Sequence, residues 1–242
     1  MKQAALITGG AKRLGRAIAI ALAEQGYDIL LYYCNSKEEA ERTCEDIKKK
    51  GVRTFLLQAD LQNPSHVKNL IAKAIDLHSG LSCLVNNASI FEKNSIQATD
   101  MNFYRLMMTI HVDVPFLLMK DFAKYAKKGL ILNMLDTRIQ GYETDYAAYT
   151  LSKKALKELT LMAANEWAPD IRVNGIAPGY ILQSSFLDTN DDTKILQRIP
   201  MKKQGSLKDI QRSVEYFVQS DFVTGQVHYI DGGQNFCKFS KE

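Results

Sequence analysis

Two side chains in the stretch 144–154 could do proton chemistry together: Tyr149 and Lys153, four positions apart. On a helix that spacing sets a phenol and an ammonium one turn from each other on the same face. A phenol ordinarily titrates near ~10, and a cation within about 4–6 Å favours the phenolate and lowers that value. The pair is therefore expected to act as a proton donor or acceptor near neutral pH. Asp136, at the end of an apolar run shortly before Tyr149, is the next candidate. At a strand end its carboxyl group would lie beside the phenol. There it could receive paired N–H donors from a substrate, or pass a proton to one through Tyr149. Thr137 offers a hydroxyl instead, but its side chain should point the other way if the strand continues. His111 is the fourth candidate, in an apolar helical segment. Its ring could hold a water near Lys153, or the helix backbone alone could do so.

The elements that must position these groups follow from periodicity. Apolar runs of strand length occupy 4–8, 28–33, 54–58, 81–86, 129–134, 171–176 and 226–230. Segments of helical period lie between them at 15–25, 37–50, 65–77, 100–125, 149–167 and 206–219, with Pro115 predicting a kink in the fourth. Strands apolar on both faces that alternate with helices specify a parallel sheet covered on each side. The expectation is a single α/β domain over residues 1–242, a Rossmann-type doubly wound sheet of about seven strands. Its ligands would sit at the carboxyl ends of the strands.

Composition narrows the partners. A net charge of +4, with dispersed Lys and Arg, suggests neither a nucleic-acid nor a membrane surface. No apolar run is long enough to span a bilayer. The four cysteines show no metal spacing, so no metal site is expected, and Cys34 and Cys83 read as buried free thiols in strands. The first strand begins at residue 4 and leaves no room for a signal peptide, so a cytoplasmic setting is expected.

The turn after the first strand, Thr8-Gly9-Gly10-Ala11-Lys12-Arg13-Leu14-Gly15, opens the first helix. Glycines there let the backbone approach a pyrophosphate that the helix N-terminus attracts. Taken with Asn86-Asn87-Ala88-Ser89, Tyr149/Lys153, Asp60, Arg172-Val173-Asn174, Pro178-Gly179 and Asp231-Gly232-Gly233, the chain resembles the short-chain dehydrogenase/reductase family from end to end. The departures from that pattern are specific. Arg13 replaces the middle glycine of the turn, Ser89 the last glycine of Asn-Asn-Ala-Gly, and Gln183 the usual Thr. Asp136 stands where most of the family keeps a catalytic Ser, and His111 where most keep an Asn. Thr8 to Arg16, residues 87–91 with Phe91, and 133–136 resemble pteridine reductases; Ile110-His111-Val112 with Pro115 resembles the dihydromonapterin reductase branch.

The resemblance implies that Tyr149 donates a proton, Lys153 lowers its pKa and holds the nicotinamide ribose, and Asp136 and His111 assist. It places Gly9, Arg13, Leu14, Gly15, Asn87, Ala88, Ser89, Pro178, Gly179 and Ile181 on the cofactor, with Asp60 and Leu61 at the adenine. Phe91 would stack on a flat substrate that Arg13, Ser89, Asp136 and Tyr149 also contact. The second strand ends in Tyr33-Cys34-Asn35-Ser36, without the acid that holds NAD. With Lys12 and Arg13 nearby, NADPH is the expected cofactor, Asn35 and Ser36 bonding its 2′-phosphate. Residues 181–200 read as a substrate lid. The implied activity is NADPH-dependent reduction of dihydromonapterin, dihydrobiopterin or dihydrofolate, in a homotetramer built on apolar residues such as Phe103, Met107, Met108, Leu118 and Leu161. The alternatives are a ketoreductase of the same family and a non-catalytic NADP(H) sensor.

Overall fold

The computed structural model describes residues 2–182 and 189–236. Strand β1 (Ala4–Ile7) leads through the glycine-rich turn into α1 (Arg13–Glu24), and β2 (Asp28–Tyr33), α2 (Lys37–Lys48) and β3 (Thr54–Gln58) follow. Two short helices, α3 (Pro64–Lys68) and α4 (Leu70–Leu77), precede β4 (Leu81–Asn86). Next come α5 (Met101–Met108), a π-helical turn at Thr109–Asp113, α6 (Val114–Tyr125) and β5 (Gly129–Met134). The chain continues through a 3-10 turn at Thr137–Gln140, α7 (Ala147–Trp167), β6 (Ile171–Pro178), α8 (Thr189–Arg198), α9 (Leu207–Gln219) and β7 (Val227–Ile230). All seven strands pair in parallel, in the order β3-β2-β1-β4-β5-β6-β7. Strand order reverses between β1 and β4, which opens a crevice at their carboxyl ends.

Period-2 alternation divides the core into two layers. Ala5 and Ile7 of β1 face one side with Ile18, Leu22, Ile47 and Phe217, which brings α1, α2 and α9 onto that face. Ala4 and Leu6 face the other with Ile71, Leu118, Phe122 and Ala163, from α4, α6 and α7. At the opposite edge of the sheet from the crevice, the fully buried Asp28 carboxylate is satisfied by Lys2, Arg53 and His78.

Several sequence expectations need correction. The segment 100–125 runs helical without a break from Met101 to Tyr125, but its irregularity is a π-helical turn at Thr109–Asp113 just ahead of Pro115, with Val114 N–H donating to Thr109 O. The segment 65–77 is two helices, and α8 lies inside the stretch read as a lid. Cys34 is exposed because β2 ends one residue earlier, whereas Cys83 is buried. Met107 and Leu118 are core residues; the exposed large apolar side chains of α6 and α7 are Phe116, Leu117, Tyr125, Leu151 and Met162. Gln183, Phe186, Leu187 and Cys237 lie outside the described residues.

Candidate active site

A cleft of about 1760 Å³ runs along the carboxyl ends of the strands, lined by Gly9, Ser36, Ser89, Asp136, Tyr149 and Gly179 among others. Helix α7 supplies the proton-bearing residues. Its first turn is tied to the loop after β4, where Asn94 N–H donates to Asp145 O (2.7 Å) and Ala147 N–H to Asn94 O (3.0 Å). Tyr149 Oη donates to Asp136 Oδ2 at 2.9 Å. The other carboxylate oxygen, Oδ1, accepts the Arg138 backbone N–H at 2.8 Å. Asp136 thus caps the 3-10 turn and holds the phenol with the same group. The strand has ended at Met134 and Thr137 begins the 3-10 turn, yet its side chain does turn away, donating to Asp231 Oδ2 at 2.5 Å in the protein interior.

The electrostatics differ from the sequence expectation. Burial raises the Tyr149 phenol well above its ordinary value, and the Asp136 carboxylate raises it further; Arg138 and the Ser89 hydroxyl oppose this. Lys153 does not bring it down. The ammonium lies 5.8 Å from the phenol ring centroid and donates to Met134 O at 2.7 Å. Burial lowers its own pKa to about 8. The phenol is therefore a protonated acid throughout the neutral range.

Arg138, Glu143 and Tyr146 also belong to this site, and the sequence reading passed over them. Arg138 Nε donates to Glu143 Oε2 at 2.6 Å and its Nη1 approaches both Asp136 oxygens at 3.4 Å. Burial opposes the guanidinium charge, but Asp136 and Glu143 hold it protonated. The guanidinium lies 5.1 Å from the Phe91 ring centroid and 4.9 Å from that of Tyr146. Phe91 itself is stacked on Tyr146, centroids 4.6 Å apart and planes within 10°. One face of Phe91 is already covered, so a flat ligand meets an aromatic pair and not Phe91 alone. The available signal was position: Arg138 and Glu143 fall between Asp136 and Tyr149, at the edge where ligands bind.

His111 is buried in the π-helical turn with both ring nitrogens engaged by protein. Nε2 accepts the Ile90 backbone N–H (3.2 Å) and pairs with Ser89 Oγ (2.9 Å); Nδ1 pairs with Ser152 Oγ (2.9 Å). Since Ser152 Oγ donates to Tyr149 O at 2.7 Å, it accepts from Nδ1–H, which fixes the tautomer. Burial, then Lys153, lowers the His111 pKa to about 2, so the ring is neutral. No ring nitrogen remains for a water, contrary to the relay expectation.

The other end of the cleft fits a dinucleotide. Asn87 Nδ2 donates to Thr8 O (2.9 Å) and Gly9 O (3.0 Å), and Thr8 Oγ1 accepts from the Asn87 and Ala88 N–H groups. A Cβ on Gly15 would come within 2.1 Å of Gly9 O, so this approach admits no side chain. Arg13 occupies the turn at φ +52, a conformation for which a glycine is the usual solution. Leu14, Asn35, Ser36, Asn87, Ala88, Pro178, Gly179 and Ile181 line the cleft, as does Lys12, whose ammonium is 4.0 Å from Glu39. Gln234 lines it too, and its Oε1 is a buried acceptor with no protein partner. Asp60 and Leu61 do not line it: Leu61 is in the core, and Asp60 accepts the Gln62 N–H. Lys194, Ile195 and Arg198 of α8 also line the cleft. Among the described residues no cluster could hold a metal ion.

A family model described as Enoyl-(Acyl carrier protein) reductase matches residues 9–235. The 3-oxoacyl-(acyl-carrier-protein) reductase FabG of Staphylococcus epidermidis is 32% identical over 249 residues, spanning 96% of this chain and 99% of its own. The crystal structure of FolM alternative dihydrofolate reductase 1 from Brucella suis, in complex with NADP, superposes with a TM-score of 0.92 at 33% identity. That match covers 98% of this chain and 97% of that one. Acetoin dehydrogenase from Enterobacter cloacae superposes at 0.89 with 27% identity, covering 100% and 99%.

Proposed function

We propose that this chain, which belongs to the short-chain dehydrogenase/reductase family, is an NADPH-dependent reductase of reduced pterins. The observation that carries the reading is the 2.9 Å bond from Tyr149 Oη to Asp136, a carboxylate where most of the family has an alcohol. Similarity to NADP-bound dihydrofolate reductases supports it. NADPH is the cofactor, and when bound it supplies the hydride that reduces the carbon of a ring C=N. Residues at the glycine turn, Asn35, Ser36 and Lys153 hold it.

The protein's own work is placement and proton control. Arg138, pinned by Glu143, and the Phe91–Tyr146 pair form a flat, cationic-edged wall for a bicyclic ring. Such stacking contributes about 0.5–1.5 kcal/mol beyond area burial. Tyr149 gives its proton to the ring nitrogen. Both Asp136 oxygens are already engaged as acceptors, which leaves the carboxylate to hold the phenol and argues against paired acceptance from an aminopyrimidinone. The Arg138 guanidinium and the Ser89 hydroxyl, which oppose the rise in the phenol's pKa, stabilise the phenolate that remains. Assembly as a homotetramer through the exposed faces of α6 and α7 is part of this reading.

The identity to FabG favours a ketoreductase as the second reading. Against it, the one hydroxyl adjacent to Asp136 in sequence is committed to Asp231. A panel separates the readings: purified protein with NADPH, and absorbance loss followed with dihydropterin, dihydrofolate or a β-ketoester. Oxidation with dihydropterin or dihydrofolate is expected. Oxidation with the β-ketoester alone overturns the pterin reading, and NADPH binding without any turnover supports a sensor.

A further inference from the structure

The family's catalytic alcohol is missing from its usual place, yet a hydroxyl does reach the phenol from another element. Ser89, on the loop after β4, pairs with His111 Nε2 at 2.9 Å, and that imidazole stands edge-on to the Tyr149 ring with centroids 5.3 Å apart; a Ser89 hydrogen bond counts among the influences that favour the phenolate. Because His111 carries its proton on Nδ1, Nε2 can only accept, so in the resting site the Ser89 proton points at His111. Nε2 also has the Ile90 backbone N–H at 3.2 Å. It therefore keeps a donor if Ser89 turns away. This redundancy makes a rotation of the hydroxyl inexpensive, since no buried acceptor is left bare.

We propose that Ser89 is a hydroxyl rotor that turns from His111 Nε2 to the Tyr149 oxygen as the phenol gives up its proton, with His111 as the positioning residue that parks it. In the proton step the Oη–H bond breaks, the proton goes to the substrate and the electron pair stays on Oη. Ser89 keeps its own proton and donates it as a hydrogen bond to the phenolate. Solvent returns a proton to Oη through the open cleft, and Ser89 turns back. A neutral His111 is required for this, because an imidazolium would offer Nε2–H and repel the Ser89 proton. Burial keeps the ring neutral. Asp136 and Ser89 then act in opposite phases: the carboxylate accepts from the phenol before transfer, and the hydroxyl donates to the phenolate after it.

The inference rests on Tyr149 as proton donor but not on which substrate is reduced, and its test separates the two. With whichever of dihydropterin and β-ketoester is reduced, Ser89→Ala should lower kcat about tenfold with KM unchanged, and Ser89→Thr should restore it. A raised KM with kcat unchanged would show Ser89 to be a lining residue only and overturn the rotor. His111→Gln, which retains an acceptor, should lie between wild type and Ser89→Ala in kcat; a loss of kcat larger than that of Ser89→Ala also contradicts the proposal.

Discussion

Tyr149→Phe lowers turnover about 10²–10⁴-fold, the contribution of a positioned general acid, and leaves NADPH affinity near that of the wild type. The substitution removes one oxygen from a buried ring that packs edge-on against Phe91 (4.9 Å between centroids) and His111 (5.3 Å), so the helix and its packing persist. Stopped-flow single turnovers separate the two quantities: the hydride step slows while fluorescence quenching on NADPH binding does not change. The wild-type pH profile carries the same logic. Tyr149 must be protonated to act, and its raised pKa keeps it so across the neutral range. Lys153 must be charged, and burial brings its pKa to about 8. In the reductive direction kcat/KM is therefore level below about pH 8 and falls above it. A fall centred well below pH 7 would show that another group limits the reaction.

Asp136→Ser lowers pterin turnover about 10²-fold, because the phenol loses the acceptor that holds it at 2.9 Å and the acid is misplaced. NADPH affinity survives, because the carboxylate lies at the substrate end of the cleft, away from the glycine turn. Arg138 keeps Glu143 at 2.6 Å, so the aromatic wall stays in place. The serine hydroxyl can still accept from the Arg138 backbone N–H and cap the 3-10 turn. The variant thus isolates chemistry from folding. Turnover close to wild type would reduce Asp136 to a cap. A gain of β-ketoester reduction alongside the loss would show that this one position divides the two substrate classes.

The architecture was legible because its strands are buried on both faces and its helices on one, which imprints two periods on the sequence. Ala4 to Ile7 and Asp28 to Tyr33 are fully apolar but for Asp28, and that exception is paired with Lys2 and Arg53 and hydrogen-bonded to His78 at the amino ends of the strands. The π-helical turn was not legible: one extra residue in a turn leaves apolar spacing almost unaltered, and Pro115 drew the kink to itself. At the site, Tyr149, Lys153 and Asp136 could be brought together from strand ends and helical spacing alone. Arg138 could not, since its role depends on Glu143 and on rings from two separate segments. The direction of the Tyr149 shift was misjudged for a related reason. Spacing reveals the nearby ammonium but not the depth of burial, and burial outweighs it. His111 shows the same limit, as its neutrality follows from burial and the Lys153 ammonium, and its tautomer from partners at residues 89, 90 and 152.

The most direct measurement follows the transferred hydride. With NADPH deuterated at the transferring position and dihydropterin as acceptor, mass spectrometry of the product should show one deuterium on the ring carbon of the reduced C=N, and proton exchange at the neighbouring nitrogen. In Tyr149→Phe the same label should arrive far more slowly at the same carbon. Deuterium appearing only in the alcohol made from a β-ketoester, with the pterin ring unlabelled, would contradict the account.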